Sequence, residues 1–201
     1  MVDGVLAGSK TEIRAALLAA RRAVPDAVRA AEARSICEHL AQIVRAGDVV
    51  CAYVPVGTEP GSPEMVDRLR ELGARVLLPV TRTAGDGAPL PLRWGEYVSG
   101  KLVAARFGLQ EPDEPSLAPA TVGSASVVLV PALAVDRRGV RMGRGGGYYD
   151  RSLALCAPTA RLVAVVRDEE VVEKLPSEAH DVRMTHALTP RRGAIALGDV
   201  Q

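Results

Sequence analysis

Cysteine is scarce and follows no pairing pattern. The three residues, Cys37, Cys51 and Cys156, are an odd number, lie far apart and contain no CxxC. That excludes a disulfide framework, and the usage fits a reducing, cytoplasmic setting in which two of the three are small core residues. No H-x-x-x-H or HExxH spacing points to zinc. Net charge is also nearly absent, at +1. The chain therefore has no global attraction for nucleic acid or an anionic membrane, and any anion site must be local. There is no apolar run of the roughly 18 or more residues that a membrane span needs. Lys10, Glu12 and Arg14 interrupt the first twenty residues, so no secretory signal is expected.

Aromatics are the other scarcity: Trp94, Phe107 and four tyrosines. Two of the tyrosines, Tyr148 and Tyr149, are neighbours at the end of the densest glycine stretch. Apolar residues, by contrast, make up 48% of the 201 positions. That is enough for one sizeable core and short for two independent domains, so residues 1–201 are expected to form a single domain.

The order of elements points to an α/β fold. Ser9 and Glu12 form an S-x-x-E capping box for a helix over 9–23, with Ile13, Leu17 and Leu18 as its apolar face. Asp26 is expected to cap a second helix after Pro25, with Ile36, Leu40 and Ile43 as its stripe and Gly47 as its end. Residues 48–55 and 75–79 are short apolar runs of the kind that form buried parallel strands. The helix between them opens at Pro63 and closes at Gly73, giving a β-α-β unit with a right-handed crossover.

Residues 83–120 are dense in glycine and proline and are expected to be a functional insertion with short strands, one of them over 90–94. Residues 126–131 form another buried strand. A loop over 132–147 and a helix over 148–156 follow it. A strand at 161–166, a short helix at 169–174, a last strand at 184–188 and a loose tail at 190–201 complete the chain. The alternation implies a mostly parallel sheet.

Three strands end in proline, at Pro55, Pro79 and Pro131. Ligands of open parallel sheets bind beyond the carboxyl ends of the strands, so the loops after Pro55 and Pro131 are the expected site. The second of these crowds Gly143, Gly145, Gly146 and Gly147 into five positions. Without Cβ atoms, their amides can close on phosphate oxygens. Arg141 and Arg144 add positive charge with bidentate geometry, and Asp150 is placed to hold magnesium on the same phosphates. The loop is neither common glycine motif. A dinucleotide fingerprint starting at Gly143 would need glycine at 148, and a Walker A loop would need Gly-Lys-Ser/Thr there, whereas the chain reads Tyr-Tyr-Asp.

Outside the loop, Lys10 and Arg14 share a helix face and either reach a phosphate or simply face solvent. Glu59, in the turn after the first strand, either binds a donor-rich heterocycle such as a pterin or faces water. Asp181, after His180, is a candidate second metal carboxylate.

These residues resemble the 5-formyltetrahydrofolate cyclo-ligase (5,10-methenyltetrahydrofolate synthetase) family, from Lys10 to about Thr189. The most specific part is Gly143-Arg-Gly-Gly-Gly-Tyr-Tyr-Asp-Arg151, preceded by Pro131 and Asp136. Lys10-x-x-x-Arg14, the turn Tyr53–Ser62, Leu109-Gln-Glu-Pro112 and Leu175-Pro-Ser-Glu-Ala-His-Asp181 support it.

The resemblance implies a three-layer α/β/α sandwich and an ATP- and Mg²⁺-dependent closure of 5-formyltetrahydrofolate to the 5,10-methenyl form. It assigns ATP binding to Lys10, Thr11, Glu12, Ile13 and Arg14, and to Arg141, Met142, Gly143, Arg144, Gly145, Gly146, Gly147, Tyr148 and Tyr149. Among these, Arg144, Lys10 and Tyr148 are assigned catalytic roles. Folate contacts fall on Val54, Glu59 and Phe107, and magnesium on Asp150 and Asp181. The implied partner is a small molecule, polyglutamylated or not, and the implied assembly is a monomer. Three positions depart from the family pattern: Gly61 in the turn, where a second acid is usual, and Arg167 and Glu170, where an aromatic and a glutamine are usual. A binding module that has kept the loop without catalysis, or another enzyme on the same scaffold, remain the rival readings.

Overall fold

The computed structural model describes residues 8–113, 115–178 and 181–198. Helix α1 (Lys10–Arg22) starts at the expected capping box. The Glu12 amide donates to Ser9 Oγ at 3.3 Å, and the Ser9 amide donates to the Glu12 carboxylate at 2.8 Å. Helix α2 (Asp26–His39) starts differently from expectation. Pro25 occupies the cap position, and Asp26 is the first helical residue and makes no cap hydrogen bond. Its carboxylate is taken by Arg29, one turn on.

Strand β1 (Val49–Cys51), helix α3 (Glu64–Glu71) and strand β2 (Arg75–Val80) form the parallel β-α-β unit, with Val50 opposite Val76. The glycine- and proline-rich insertion contributes β3 (Arg93–Glu96), antiparallel to β2, and a hairpin of β4 (Leu102–Ala104) and β5 (Gln110–Pro112). Strand β6 (Val127–Pro131) follows.

The stretch 132–147 is more ordered than a loop. It carries β7 (Ala134–Asp136) and β8 (Arg141–Met142), antiparallel to each other, whose turn is closed by Asp136 accepting from the amides of Arg138 and Val140, each at 2.9 Å. Helix α4 (Tyr148–Leu153) is shorter than the expected 148–156. After β9 (Arg161–Val165), the segment 169–174 does not form the expected helix. A 3-10 turn over Asp168–Glu170 leads into β10 (Val171–Val172), which pairs with β7. Two adjacent β-branched residues and the burial of Glu170 favour the extended course. Strand β11 (His186–Thr189) is not the last. The tail expected to be loose supplies β12 (Gly193–Ala196), antiparallel to β11.

The seven-stranded sheet runs β12-β11-β9-β6-β1-β2-β3, five parallel strands between two antiparallel edges. Strand alternation sends Val50, Val76, Leu78, Leu129 and Val163 to one face, where they pack on Ile36 of α2, on Leu40 of the 3-10 turn that follows it, and on Met65 and Leu69 of α3. Cys51, Leu77, Val128, Val130 and Ala164 point to the other face, against Trp94, Leu153 of α4 and Val122 of a 3-10 turn. This is the expected α/β/α layering. Helix α1 lies apart from both layers: Ile13 packs on Ala134, Met142 and Val172 of the small β10-β7-β8 sheet. No helix among the described residues is long and apolar enough to cross a membrane.

Candidate active site

The strand order reverses between β1 and β6. From β1 the chain moves outward to β2, and from β6 it moves the other way to β9 and β11. Loops leaving adjacent strands in opposite directions open a crevice at their carboxyl ends. A cleft lies there. Tyr53 and Val54 after β1, Pro131 at the end of β6 and Ala132 and Leu133 beyond it contribute to it, as do Pro79, Thr81, Leu92 and residues 109–111. Glu59, Arg141 and the whole of residues 143–150 also line it. Both loops singled out from the strand ends therefore meet in one cavity.

Local backbone geometry explains the glycines. Gly147, the cap of α4, has φ +73°, in the left-handed region that favours glycine. The departure at Gly61 has the same cause: its φ is +99°, and an added Cβ would sit 3.2 Å from the Pro55 ring. A second acid at that position would be strained.

The charges around the cleft are arranged in pairs. Arg141, nearly buried, bonds Asp150 and lies 6.0 Å from the centroid of the Tyr149 ring. Arg144 Nε faces Glu59 Oε1 at 3.4 Å, and Glu59 Oε2 accepts from the Val56 amide at 3.0 Å. Burial pushes the Glu59 carboxyl above its ordinary range, while the Val56 amide and the nearby guanidiniums of Arg144 and Arg21 pull it back. Tyr149 is partly buried, and its phenol is pushed upward by burial and by the Glu59 charge. Its hydroxyl is thus a neutral donor, buried and with no partner among the described residues.

The two ends of α1 serve the cleft differently. Near its start, Arg14 Nε donates to the Gly143 carbonyl at 3.0 Å and pins the helix to the glycine loop. Lys10 instead pairs with Glu178 at 2.6 Å. Thr11 is exposed, Glu12 is held by the cap, and Ile13 is buried in the apolar cluster under α1. Met142 is likewise core.

Val54 and Tyr148 line the cleft. Phe107 falls in a 3-10 turn over Arg106–Gly108, but its side chain, like His180, is outside the described residues. Asp181 does not join Asp150 on the cleft wall: its carboxylate accepts from the Glu178 amide at 2.8 Å. Among the described residues no three His, Cys, Asp or Glu side chains gather as a metal cage. Asp150, exposed at the cleft edge, is a hard oxygen ligand of the kind that could hold a magnesium ion.

Two residues that sequence reasoning did not single out complete the site. Glu111 is buried in the insertion wall and accepts from the Thr81 amide at 2.8 Å and the Thr81 hydroxyl at 2.6 Å. Arg21, at the end of α1, is 1% exposed. It grips Glu170 at 2.6 and 2.7 Å and donates to the Ala132 carbonyl at 2.6 Å. The departures at 167 and 170 are explained by charge pairing, since Arg167 is held bidentately by Glu32 at 2.9 and 2.7 Å. The stretch 143–147, four glycines and one arginine, has no apolar positions and so carries no helix or strand periodicity.

An α/β sheet with a glycine- and arginine-lined crevice at its reversal point defines a small-molecule site suited to an anionic ligand. Residues 7–190 match the 5-formyltetrahydrofolate cyclo-ligase family, and the chain belongs to it. It is 58% identical over 189 residues to the 5-formyltetrahydrofolate cyclo-ligase of Mycolicibacterium smegmatis, covering 94% of this chain and 97% of that one. The protein of the same name from Escherichia coli K12 is 29% identical over 144 residues, 71% of this chain and 78% of that one. Among solved structures, the 5,10-methenyltetrahydrofolate synthetase of Aquifex aeolicus superposes with a TM-score of 0.74 at 23% identity, covering 96% of this chain and 94% of that one. This likeness supports the fold.

Proposed function

We propose that the chain closes 5-formyltetrahydrofolate to 5,10-methenyltetrahydrofolate at the expense of ATP. The observation that carries this reading is the meeting, in one cavity, of a cationic glycine loop and the buried Glu59 carboxylate. The first suits a triphosphate and the second suits a heterocycle rich in N–H donors.

The chemistry needs no protein nucleophile. The formyl oxygen of the substrate attacks the γ-phosphorus of ATP, and ADP leaves. N10 then adds to the activated formyl carbon and loses its proton. Finally the phosphate departs with the former formyl oxygen, leaving the methenyl bridge. Such a transfer asks for positioning and charge compensation. Arg144 and the amides of Gly145, Gly146 and Gly147 are the compensating groups, and Arg141 and Tyr149 form the wall beneath them.

Lys10 joins this set by giving up Glu178. That pair is solvent-exposed on both sides, and such pairs contribute only about 0–1 kcal/mol. Tyr148 and Val54 border the reacting groups, and Glu59 orients the pterin. Magnesium, when bound on the phosphates, offsets their negative charge. Asp150 is the residue that would hold it, in exchange for Arg141; Asp181, off the cleft wall, is left out of this set. A monomer in the cytoplasm completes the reading and agrees with the free cysteines.

A spectrophotometric assay tests the proposal. The near-ultraviolet band of the methenyl product should appear only with both ATP and Mg²⁺. ATP binding without product would instead favour a binding module, and neither binding nor product would favour a scaffold relative.

A further inference from the structure

Glu59 and Arg144 belong to different ligands in this reading, yet they face one another across the cleft. We infer that Glu59 is also a positioning residue for the nucleotide half of the reaction, and that an exchange of partners between Glu59 and Arg144 couples the two ligands. The inference rests on assigning Arg144 to ATP and Glu59 to the folate.

The geometry sets the direction of coupling. Arg144 reaches Glu59 by a single 3.4 Å contact and is 46% exposed, whereas the Glu59 side chain is only 10% exposed. A triphosphate that draws Arg144 away leaves Glu59 with the Val56 amide on Oε2 and no counter-charge at Oε1. A buried carboxylate stripped of a partner is costly, so nucleotide alone binds against that penalty. A heterocycle that donates to Oε1 takes the place of Arg144 and removes the penalty. Folate therefore releases Arg144 for the phosphates, and nucleotide frees Glu59 for the folate. Linkage requires the effect to be equal in both directions.

The test uses a β,γ-imido ATP analogue with Mg²⁺, titrated calorimetrically into the whole protein with and without saturating 5-formyltetrahydrofolate, so that no turnover occurs. The expected result is about tenfold tighter analogue binding when folate is present, within the usual range of such couplings. The reciprocal titration should give the same factor. In Glu59→Gln the factor should fall to about one, with the analogue alone binding more tightly than to the wild type. Arg144→Gln removes the pair from the exposed side and should also abolish the coupling, which keeps the test sound if Glu59→Gln folds poorly.

A factor of one in the wild type, with both ligands binding, would overturn the inference. So would an undiminished factor in either variant. Failure of the underlying assignment looks different: analogue affinity would be the same in Arg144→Gln as in the wild type, or folate affinity would be untouched in Glu59→Gln.

Discussion

Two arginine–glutamate pairs border the same crevice and are built in opposite ways. Arg21 and Glu170 are 1% and 6% exposed in their side chains and meet through two short bonds, with the Ala132 carbonyl held by the same guanidinium. Arg144 and Glu59 meet once, at 3.4 Å, with the arginine nearly half in water. The first pair ties the end of α1, the exit of β6 and the 3-10 turn before β10 into one unit. Its desolvation is complete whether or not a ligand binds. The second pair is loosely held, on the side of the cleft proposed to exchange partners. Buried, multiply bonded charges fix the frame of the site, and singly bonded, half-exposed ones are left for the chemistry.

The widest separation between the pairs should appear in stability. Arg21→Ala leaves Glu170 buried without its counter-charge and should lower the free energy of unfolding by about 3–5 kcal/mol, measured by urea titration. The double variant Arg21→Met/Glu170→Met should recover most of that loss. If Arg21→Ala unfolded at the wild-type midpoint, the pair would not be the anchor described here.

Arg144→Ala should do the reverse. Its kcat should drop by about 10²–10³-fold, the usual effect of removing one charge-compensating group, while the urea midpoint falls far less than in Arg21→Ala. Wild-type turnover would remove Arg144 from catalysis. Asp150→Asn should raise the Mg²⁺ concentration needed for half-maximal rate several-fold, and an unchanged titration would take Asp150 out of the metal site.

The smallest effect concerns Glu59 itself. Burial raises its pKa above the ordinary 4.5, so the native state holds this proton more tightly than the unfolded chain does. The stability linked to that proton is full below the unfolded pKa and is lost as pH rises through the native one. Glu59→Gln escapes the loss. It should melt slightly above the wild type at pH 7, with the advantage disappearing below about pH 4.5. A variant melting below the wild type at pH 7 would show that the Arg144 contact outweighs burial.

The sequence was most readable where one physical cause dominates. β1, β2, β6 and β9 are buried on both faces and appear as unbroken apolar runs such as Val127–Val130. The capping box at Ser9 is a local hydrogen-bond pattern and needs no tertiary context. The glycine loop was legible because no ordinary turn needs four glycines and two arginines together.

Elsewhere long-range pairing decides the outcome. β10 and β8 are two residues long and exist only because β7 lies between them. Strand β12 forms because β11 offers an edge, although Gly193 and Ala194 have little strand preference of their own. Arg21 looks like an ordinary basic residue in the last turn of a helix. Only the fold shows that Glu170, far along the chain, closes over it. Glu111 is hidden for the same reason, since its partner Thr81 lies beyond the end of β2. The contact of Arg144 with Glu59, on which the proposed exchange rests, is also a property of the assembled cleft.

The most direct test of the central claim, that this cleft activates the formyl oxygen by phosphorylation, is an isotope measurement. 5-Formyltetrahydrofolate carrying ¹⁸O in the formyl group is turned over by the enzyme with ATP and Mg²⁺, and the inorganic phosphate released is analysed by mass spectrometry. The account predicts one ¹⁸O in each phosphate formed. Recovery of the label in water, with unlabelled phosphate, would contradict it.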